Sequence, residues 1–152
     1  MWITRKTDYA TRAVLALAIA EHDGPPLKLA DLADRTAVPA SFLEQIMSQL
    51  RGAGIVRSER GPTGGYRLNH PAEDITLDRV VRVFQGQLAP IACATRSSPE
   101  PCPMDVACSL KEVWQEVREA TIAILEGVDF AQLAERAGGR WVTPLEVLSP
   151  PR

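Results

Sequence analysis

The chain has 152 residues, of which 45% are hydrophobic and 24% charged, and its formal net charge is −2. This length can bury one modest core or two small ones. No run of about eighteen apolar residues and no charged-then-apolar N-terminal pattern is present, which excludes a membrane span and a secretion signal, so we expect a cytoplasmic protein.

The negative net charge argues against a nucleic-acid partner, but the charges are unevenly distributed. Residues 1–70 contain nine Lys or Arg and seven Asp or Glu, whereas residues 71–152 contain eight and twelve. Within residues 51–67 there are four arginines and one glutamate. Because phosphate binding requires a local basic patch rather than a high overall pI, the distribution is compatible with DNA binding by the N-terminal half.

The first seventy residues contain the pattern of a helix-turn-helix. Apolar spacing predicts a first helix over residues 7–22, a short extended segment at 27–29 and a second helix over 30–36. Val38-Pro39 then makes the turn into a third helix.

This third helix is expected to have two chemically distinct faces. Ser41 and Glu44 have the S-x-x-E spacing of a capping box, so the helix is predicted to start at residue 42. One side is an apolar stripe formed by Leu43, Ile46, Met47 and Leu50. The other side is uncharged and hydrogen-bonding, with Ser41, Gln45, Ser48 and Gln49. Such a helix can pack on a core and still present polar groups to base edges.

A basic hairpin follows the third helix. Ile55-Val56 starts a strand, and the Gly-Pro-Thr-Gly-Gly run at 61–65 supplies residues that suit a tight turn. Arg57, Arg60 and Arg67 give the hairpin a positive rim suited to phosphates or to a narrow minor groove. A surface hairpin with ordinary arginines is the alternative. The preceding helix favours a winged helix, in which one element enters the major groove and a second contacts the neighbouring backbone.

Several motifs of this half also carry a family resemblance. They are Leu43-Glu44-Gln45-Ile46, Leu50-Arg51, Gly54-Ile55-Val56, Arg60-Gly61-Pro62 with Gly64-Gly65-Tyr66, and the opening residues 3–10. With them the chain resembles the Rrf-type bacterial winged-helix regulators, which include IscR-like and NsrR-like iron–sulfur proteins, over nearly its whole length to about Ala137. The resemblance implies a dimeric repressor or activator that contacts DNA through Ser41, Glu44, Gln45, Arg60, Gly61 and Pro62. Ser48, Arg57 and Thr63 complete the candidate DNA surface.

The second half contains a cysteine loop. Thr76 is predicted to cap a helix over residues 77–84, and residues 86–108 form a Pro-, Ser- and Cys-rich loop of unusual length. All three cysteines lie in it: Cys93, Cys102 and Cys108, spaced C-x8-C-x5-C. A disulfide framework is not expected in a cytosolic chain. An iron–sulfur cluster, zinc, or redox-active or idle thiols are all compatible with this spacing.

A long helix is predicted after the loop. Ser109 and Glu112 form a second S-x-x-E pattern, and the helix should run to about Glu126. Its apolar seam consists of Leu110, Val113, Trp114, Val117, Thr121 and Ile124. The seam could cover the core of its own subunit, but its length favours a homodimer interface, which also suits palindromic DNA sites. A short helix is predicted at 129–137.

The resemblance also bears on a cofactor. Regulators of this type hold an iron–sulfur cluster with three cysteines of this loop, which implies that Cys93, Cys102 and Cys108 bind the iron, with 4Fe-4S favoured over 2Fe-2S. IscR-like proteins have a histidine where Lys111 stands, so a fourth ligand must come from elsewhere. Asp8 matches an aspartate that NsrR-like proteins donate across the dimer. Asp8 could equally be a surface carboxylate favoured by the helix dipole. Weaker candidates are Asp105, Glu100, His22 and His70.

The sequence therefore predicts a mainly α fold with a small β wing. A winged helix-turn-helix DNA-binding domain is assigned to residues 1–72, a cofactor loop with dimerisation helices to 73–137, and an irregular tail to 138–152. The predicted function is a homodimeric transcriptional regulator whose DNA affinity is set by an iron–sulfur cluster sensing nitric oxide, oxygen or redox state, or iron. The alternatives are a cluster-free thiol-redox repressor and an iron–sulfur carrier. No enzyme is predicted, since no catalytic triad, phosphate loop or carboxylate pair is present.

Overall fold

A computed structural model describes residues 3–21, 25–97, 99–105 and 107–138. The predicted tail beyond Gly138 lies outside this range. The elements are helices α1 (Arg5–Glu21), α2 (Leu29–Thr36) and α3 (Ala40–Gly52), strands β1 (Val56–Glu59) and β2 (Gly65–Leu68), and helices α4 (Leu77–Gln85), α5 (Leu110–Glu126) and α6 (Phe130–Arg136). Two 3-10 turns complete the list: Ala72–Asp74 precedes α4, and Ala92–Ala94 lies in the cysteine loop. This mostly helical chain with a two-stranded wing confirms the predicted fold class.

Helix α1 is the centre of the core. It packs against α2, α3, α4, α6 and β2. Small and apolar side chains let these neighbours approach closely, and Ala10, Ala13, Val14 and Leu17 are buried as their spacing predicts. None of the helices in the described ranges is both long and apolar enough to span a bilayer. Since α3 is fixed to the central helix, its orientation follows from the core.

The capping box predicted at the start of α3 is wrong. The helix begins at Ala40 with Pro39 in the N-cap position, and no side chain caps it. The carbonyl of Pro39 accepts hydrogen bonds from the backbone N–H groups of Phe42 and Leu43 at 2.9 and 3.1 Å. The helix thus starts two residues earlier than the S-x-x-E pattern indicates, and Ser41 lies inside its first turn, where the side chain is exposed.

The second predicted capping box, at α5, is not formed either. Ser109 occupies the N-cap position but has helical angles (φ −68°, ψ −13°) and makes no side-chain capping bond. A capping side chain needs an extended backbone to reach the N–H groups of the first turn. Thr76 and Asp129 have that conformation, and they accept bonds from the N–H groups of Arg79 and Gln132 at 3.3 and 2.8 Å. The cap predicted at Thr76 is thus confirmed.

The wing has a third backbone partner. Val56 lies opposite Leu68 and Glu59 opposite Gly65 in an antiparallel hairpin. Leu27 pairs with Tyr66 on the outer edge of β2. The N–H of Leu27 donates to the carbonyl of Tyr66 at 3.1 Å, and the carbonyl of Leu27 accepts from the N–H of Tyr66 at 2.8 Å. The extended segment predicted at 27–29 therefore ties the wing to the start of α2.

Gly65→Ala is expected to destabilise the fold by about 1–3 kcal/mol, the usual cost of overpacking. A Cβ at Gly65 would lie 2.5 Å from the carbonyl oxygen of Leu27 and 2.7 Å from its carbon, so two paired backbones would have to separate. Urea unfolding measures the effect. Gly52→Ala is the control, since a Cβ there meets nothing within 4 Å. Equal stability of the two variants would contradict the Leu27–Tyr66 pairing.

Candidate DNA-binding surface and cysteine loop

The polar side of α3 and the tip of the wing are open to solvent. The apolar stripe of Leu43, Ile46, Met47 and Leu50 is buried, which turns the opposite side of the helix outward. Every residue predicted to contact DNA is exposed: Ser41, Glu44, Gln45, Ser48, Arg57, Arg60, Gly61, Pro62 and Thr63. Exposure is what a DNA contact requires, and the contact itself stays a prediction.

Hydrogen bonds fix the wing relative to α3. The N–H of Ile55 donates to the carbonyl of Leu50 at 3.0 Å, and the N–H of Asn69 donates to the carbonyl of Ile55 at 2.9 Å. The side-chain amide of Asn69 also donates to the carbonyl of Gly54 at 3.1 Å. The exit of α3 and both ends of the hairpin thus form one unit, which Ile55 anchors by its burial in the core.

The wing arginines are not equivalent, which their composition did not reveal. Arg57 and Arg67 lie directly opposite each other in the hairpin, an unfavourable placement for like charges. Glu59 offsets it by pairing with Arg67 at 3.2 Å and with Arg57 at 3.7 Å. Arg60 is exposed at the start of the turn and forms no ion pair within the described part of the chain. It is the arginine whose full charge is available to a phosphate.

A series of contacts connects Asp8 with α3. Both carboxylate oxygens of Asp8 accept from Arg12, at 2.6 Å from Nη2 and 3.1 Å from Nε. The Arg12 guanidinium lies 5.9 Å from the centre of the Tyr9 ring. That ring meets Phe42, in the first turn of α3, edge to face at 6.4 Å and 76°. The Asp8–Arg12 pair was missed from the sequence, although its i,i+4 spacing is the signal that could have found it.

The three cysteines lie on a loop that is fastened to α5. All three are free thiols and partly buried. Arg118 donates to the carbonyl of Ala94, next to Cys93, and Arg96 pairs with Glu119 at 3.2 Å. The loop therefore rests on the same helix that carries the predicted apolar seam.

Lys111 lies among the loop residues. A hydrogen bond to Asp105 raises the pKa of Lys111 above its usual value, against a lowering by desolvation, and the nearby charges of Asp105, Cys93 and Cys102 raise it further. In the described chain the carboxylate of Asp105 is thus paired with a cation, as that of Asp8 is with Arg12.

The predicted ligands are not assembled within one chain. No three or more His, Cys, Asp or Glu side chains in the described ranges are grouped so that they could hold a metal ion. Three thiolates on one loop nonetheless fit the chemistry of an iron–sulfur cluster, which cysteine sulfur binds best. Of the weaker candidates, Glu100 and His70 are exposed, His70 lines a groove beside α6, and His22 lies outside the described residues.

The seam of α5 is exposed to solvent. Val117 is 42% exposed and Ile124 68%, and Leu110 and Val113 are similarly open. The side chain that α5 buries in its own subunit is Ile122, which contacts Val81 and Leu88. Val117 and Ile122 are five residues apart and so lie about 140° apart around the helix. The seam is thus a separate face, with four apolar side chains along one side of the helix left open to solvent.

Comparison with known proteins gives a consistent result. The Rrf2 family of iron-dependent transcriptional regulators matches residues 3–136. An rrf2-like HTH-type transcriptional regulator of Rhodobacter capsulatus is 37% identical over 131 residues, covering 83% of this chain and 87% of the relative. The HTH-type transcriptional regulator IscR of Photobacterium profundum is 34% identical and covers 88% and 75%.

Two solved structures are similar over most of the chain. The global cysteine regulator CymR of B. subtilis superposes with a TM-score of 0.73 at 29% identity, covering 90% of this chain and 98% of that protein. IscR of T. potens gives a TM-score of 0.71 at 27% identity, with coverages of 90% and 88%.

Proposed function

The chain belongs to the Rrf2 family of transcriptional regulators, and from this membership we propose that it is a homodimer whose affinity for DNA is set by an iron–sulfur cluster. Its named relatives are regulators, which is a non-enzymatic role, as the sequence predicts. The observation that carries the proposal is the combination of an exposed reading helix with three thiols on one loop.

DNA recognition is assigned to α3 and the wing. An exposed amide such as Gln45 can pair bidentately with an adenine edge in the major groove, while Ser41 and Glu44 lie on the same open side. Arg60 carries an unneutralised charge to the backbone or the minor groove. The two elements are held in one unit by Ile55 and Asn69, so they would contact the duplex together.

Gln45→Ala and Arg60→Ala should differ in kind. The first is expected to relax base preference at one or two positions and to cost roughly 1–3 kcal/mol at the preferred site. The second should weaken all sites alike and reduce the slope of affinity against salt by about 1. The measurement is a titration of sites selected from random duplex DNA, with base-substituted competitors, at several salt concentrations. Arg136→Ala, an exposed arginine on α6, is the control. Binding that stays unchanged in both variants would remove α3 and the wing from the interface.

Cys93, Cys102 and Cys108 are proposed to hold the cluster, with Asp8 donated across the dimer as the fourth ligand. A carboxylate oxygen binds iron less firmly than a thiolate, so one iron position would be open to nitric oxide, oxygen or iron loss. Lys111, in its charged form, cannot serve as a ligand. Its pairing with Asp105 instead holds the end of the loop against α5.

Asp8 is the residue through which the loop would influence DNA reading. In the described chain its carboxylate is occupied by Arg12. A carboxylate that binds iron must give up at least part of this pairing, which alters the position of Arg12 over Tyr9 and of Tyr9 against Phe42. Phe42 lies in the first turn of the reading helix, so two arrangements of Asp8 would favour two arrangements of α3. A ligand that binds one arrangement better than the other would then control DNA affinity allosterically.

Dimerisation is assigned to the exposed seam of α5. Monomeric proteins rarely leave large contiguous apolar patches open, and such a patch usually marks an interface. A two-fold pairing of these seams would present two reading helices to a palindromic site. The proposed role of Asp8 requires, in addition, that this pairing place α1 of each chain beside the cysteine loop of its partner.

A cluster-free thiol-redox repressor is the second candidate. It is favoured by three partly buried free thiols on one loop, a supply of cysteines that thiol oxidation needs. Anaerobic purification separates the two. Bound iron, sulfide and visible absorption support the cluster. Iron-free protein whose DNA binding changes on thiol oxidation supports the second candidate. Sequence-specific DNA retention excludes the iron–sulfur carrier.

A further inference from the structure

An aromatic ring is exposed at the start of the reading helix. Phe42, in the first turn of α3, is 56% exposed. Within residues 25–72, which contain the helix-turn-helix and the wing, it is the large apolar side chain that remains open to solvent. The other exposed side chains of this kind in the described chain are Ile3 and residues of the cysteine loop and α5. A contact between α3 and DNA would cover this ring.

Phe42 is a neighbour of Gln45 on the surface of α3. The two residues are three positions apart, which places them about 60° apart around the helix and about 4.5 Å apart along its axis. Both side chains are exposed. Successive base pairs are about 3.4 Å apart, so two side chains this close would meet the same base pair or adjacent ones. Phe42 therefore stands beside the amide that is proposed to read an adenine.

A contact with α1 restrains the Phe42 ring. The ring meets Tyr9 edge to face, with 6.4 Å between the ring centres and 76° between the ring planes. Tyr9 is itself partly buried against the core. A side chain that is already restrained in the free protein loses little conformational entropy when it meets a ligand. The ring is therefore prepared for a contact, and because phenylalanine has no polar atom in its side chain, that contact must be apolar.

The major groove offers one apolar group to such a ring. Among the four bases, thymine carries a C5 methyl group there, and phenylalanine is one of the side chains suited to contact it. The other groups on the base edges are hydrogen-bond donors and acceptors, and covering them with a ring removes water without replacing its hydrogen bonds. The ring therefore favours thymine over the other bases.

We propose that Phe42 is a specificity-determining residue that packs against the C5 methyl group of a thymine, in the base pair read by Gln45 or in one adjacent to it. This rests on the proposed role of α3 in DNA binding and adds an apolar reader to its hydrogen-bonding ones. Burial of one methyl-sized group corresponds to about fourfold in affinity, or about 0.8 kcal/mol, in each half-site.

Uracil substitution in the DNA tests the contact with the unaltered protein. Uracil pairs as thymine does and lacks only the C5 methyl group. Sites selected from random duplex DNA should contain a thymine at one fixed position of each half-site. Replacing that thymine by uracil should weaken binding about fourfold per half-site, whereas uracil at the other thymines should leave the affinity unchanged.

Phe42→Ala assigns the effect to the ring, since this variant should bind the thymine and uracil sites equally well. Gln45→Ala is the matched control on the same side of α3 and should keep the uracil effect. Specific binding without a uracil-sensitive thymine, or a uracil effect that persists in Phe42→Ala, would overturn the proposal and leave the proposed function intact. A protein that retains no specific DNA site would contradict both.

Discussion

Val117→Glu is expected to convert the protein from a dimer into a monomer and to lower its affinity for a palindromic site by roughly 10²–10⁴-fold, the usual gain from linking two binding units. In a seam-to-seam dimer each Val117 would be buried. A glutamate there would place an unpaired charge in an apolar interface. No interaction in that interface would compensate for the free energy of desolvating the carboxylate, so the dimer would dissociate. In the isolated subunit the same side chain is 42% exposed, so the fold itself should be unaffected.

Sedimentation equilibrium and DNA titration measure the two effects. Ala123→Glu is the matched control, because Ala123 is exposed on the same helix but about 120° from Val117. It should stay dimeric. If the Val117→Glu protein is dimeric and binds DNA normally, then the seam of α5 is not the interface. If both variants dissociate, the interface is wider than the seam.

Cys102→Ala is expected to abolish iron and sulfide binding, whereas Asp8→Ala should retain a cluster that is lost faster and controls DNA binding less. Loss of one of three thiolates leaves too few sulfur ligands for the cluster. Loss of Asp8 removes a weaker oxygen ligand and also the partner of Arg12, so the contacts from Arg12 to Phe42 lose their anchor.

The measurements are iron and sulfide content, visible absorption over time under oxygen-free conditions, and DNA titration of the same samples. Asp34→Ala, which removes an exposed carboxylate on α2, is the control for Asp8→Ala. A wild-type cluster lifetime and DNA response in Asp8→Ala would disprove its role as a ligand and leave the three-cysteine site intact. A cluster that persists in Cys102→Ala would disprove the site itself.

The candidate site was predicted in parts. The reading helix and the wing were found because their signals are local: an apolar stripe at helical spacing and a glycine-rich turn between two short strands. The structure exposes each predicted DNA residue. The cysteine loop was found from composition, but no ligand group is assembled in the described ranges. A ligand set depends on how a loop closes and on what a second chain supplies, and spacing along one sequence specifies neither.

By itself the sequence determined which segments form helices and strands. Periodicity placed α5 at 110–126 and the cap at Thr76, because both depend on residues within one or two turns of each other. The start of α3 was predicted two residues too late, because the S-x-x-E pattern at Ser41 indicates a cap that the chain forms without a side chain at Pro39. The tertiary structure alone decided that Leu27 joins the wing, that Glu59 pairs with both Arg57 and Arg67, and that α5 buries Ile122 while leaving Val117 open. These features join residues distant in sequence or depend on which side of a helix meets the core, so they are set by packing and not by local pattern.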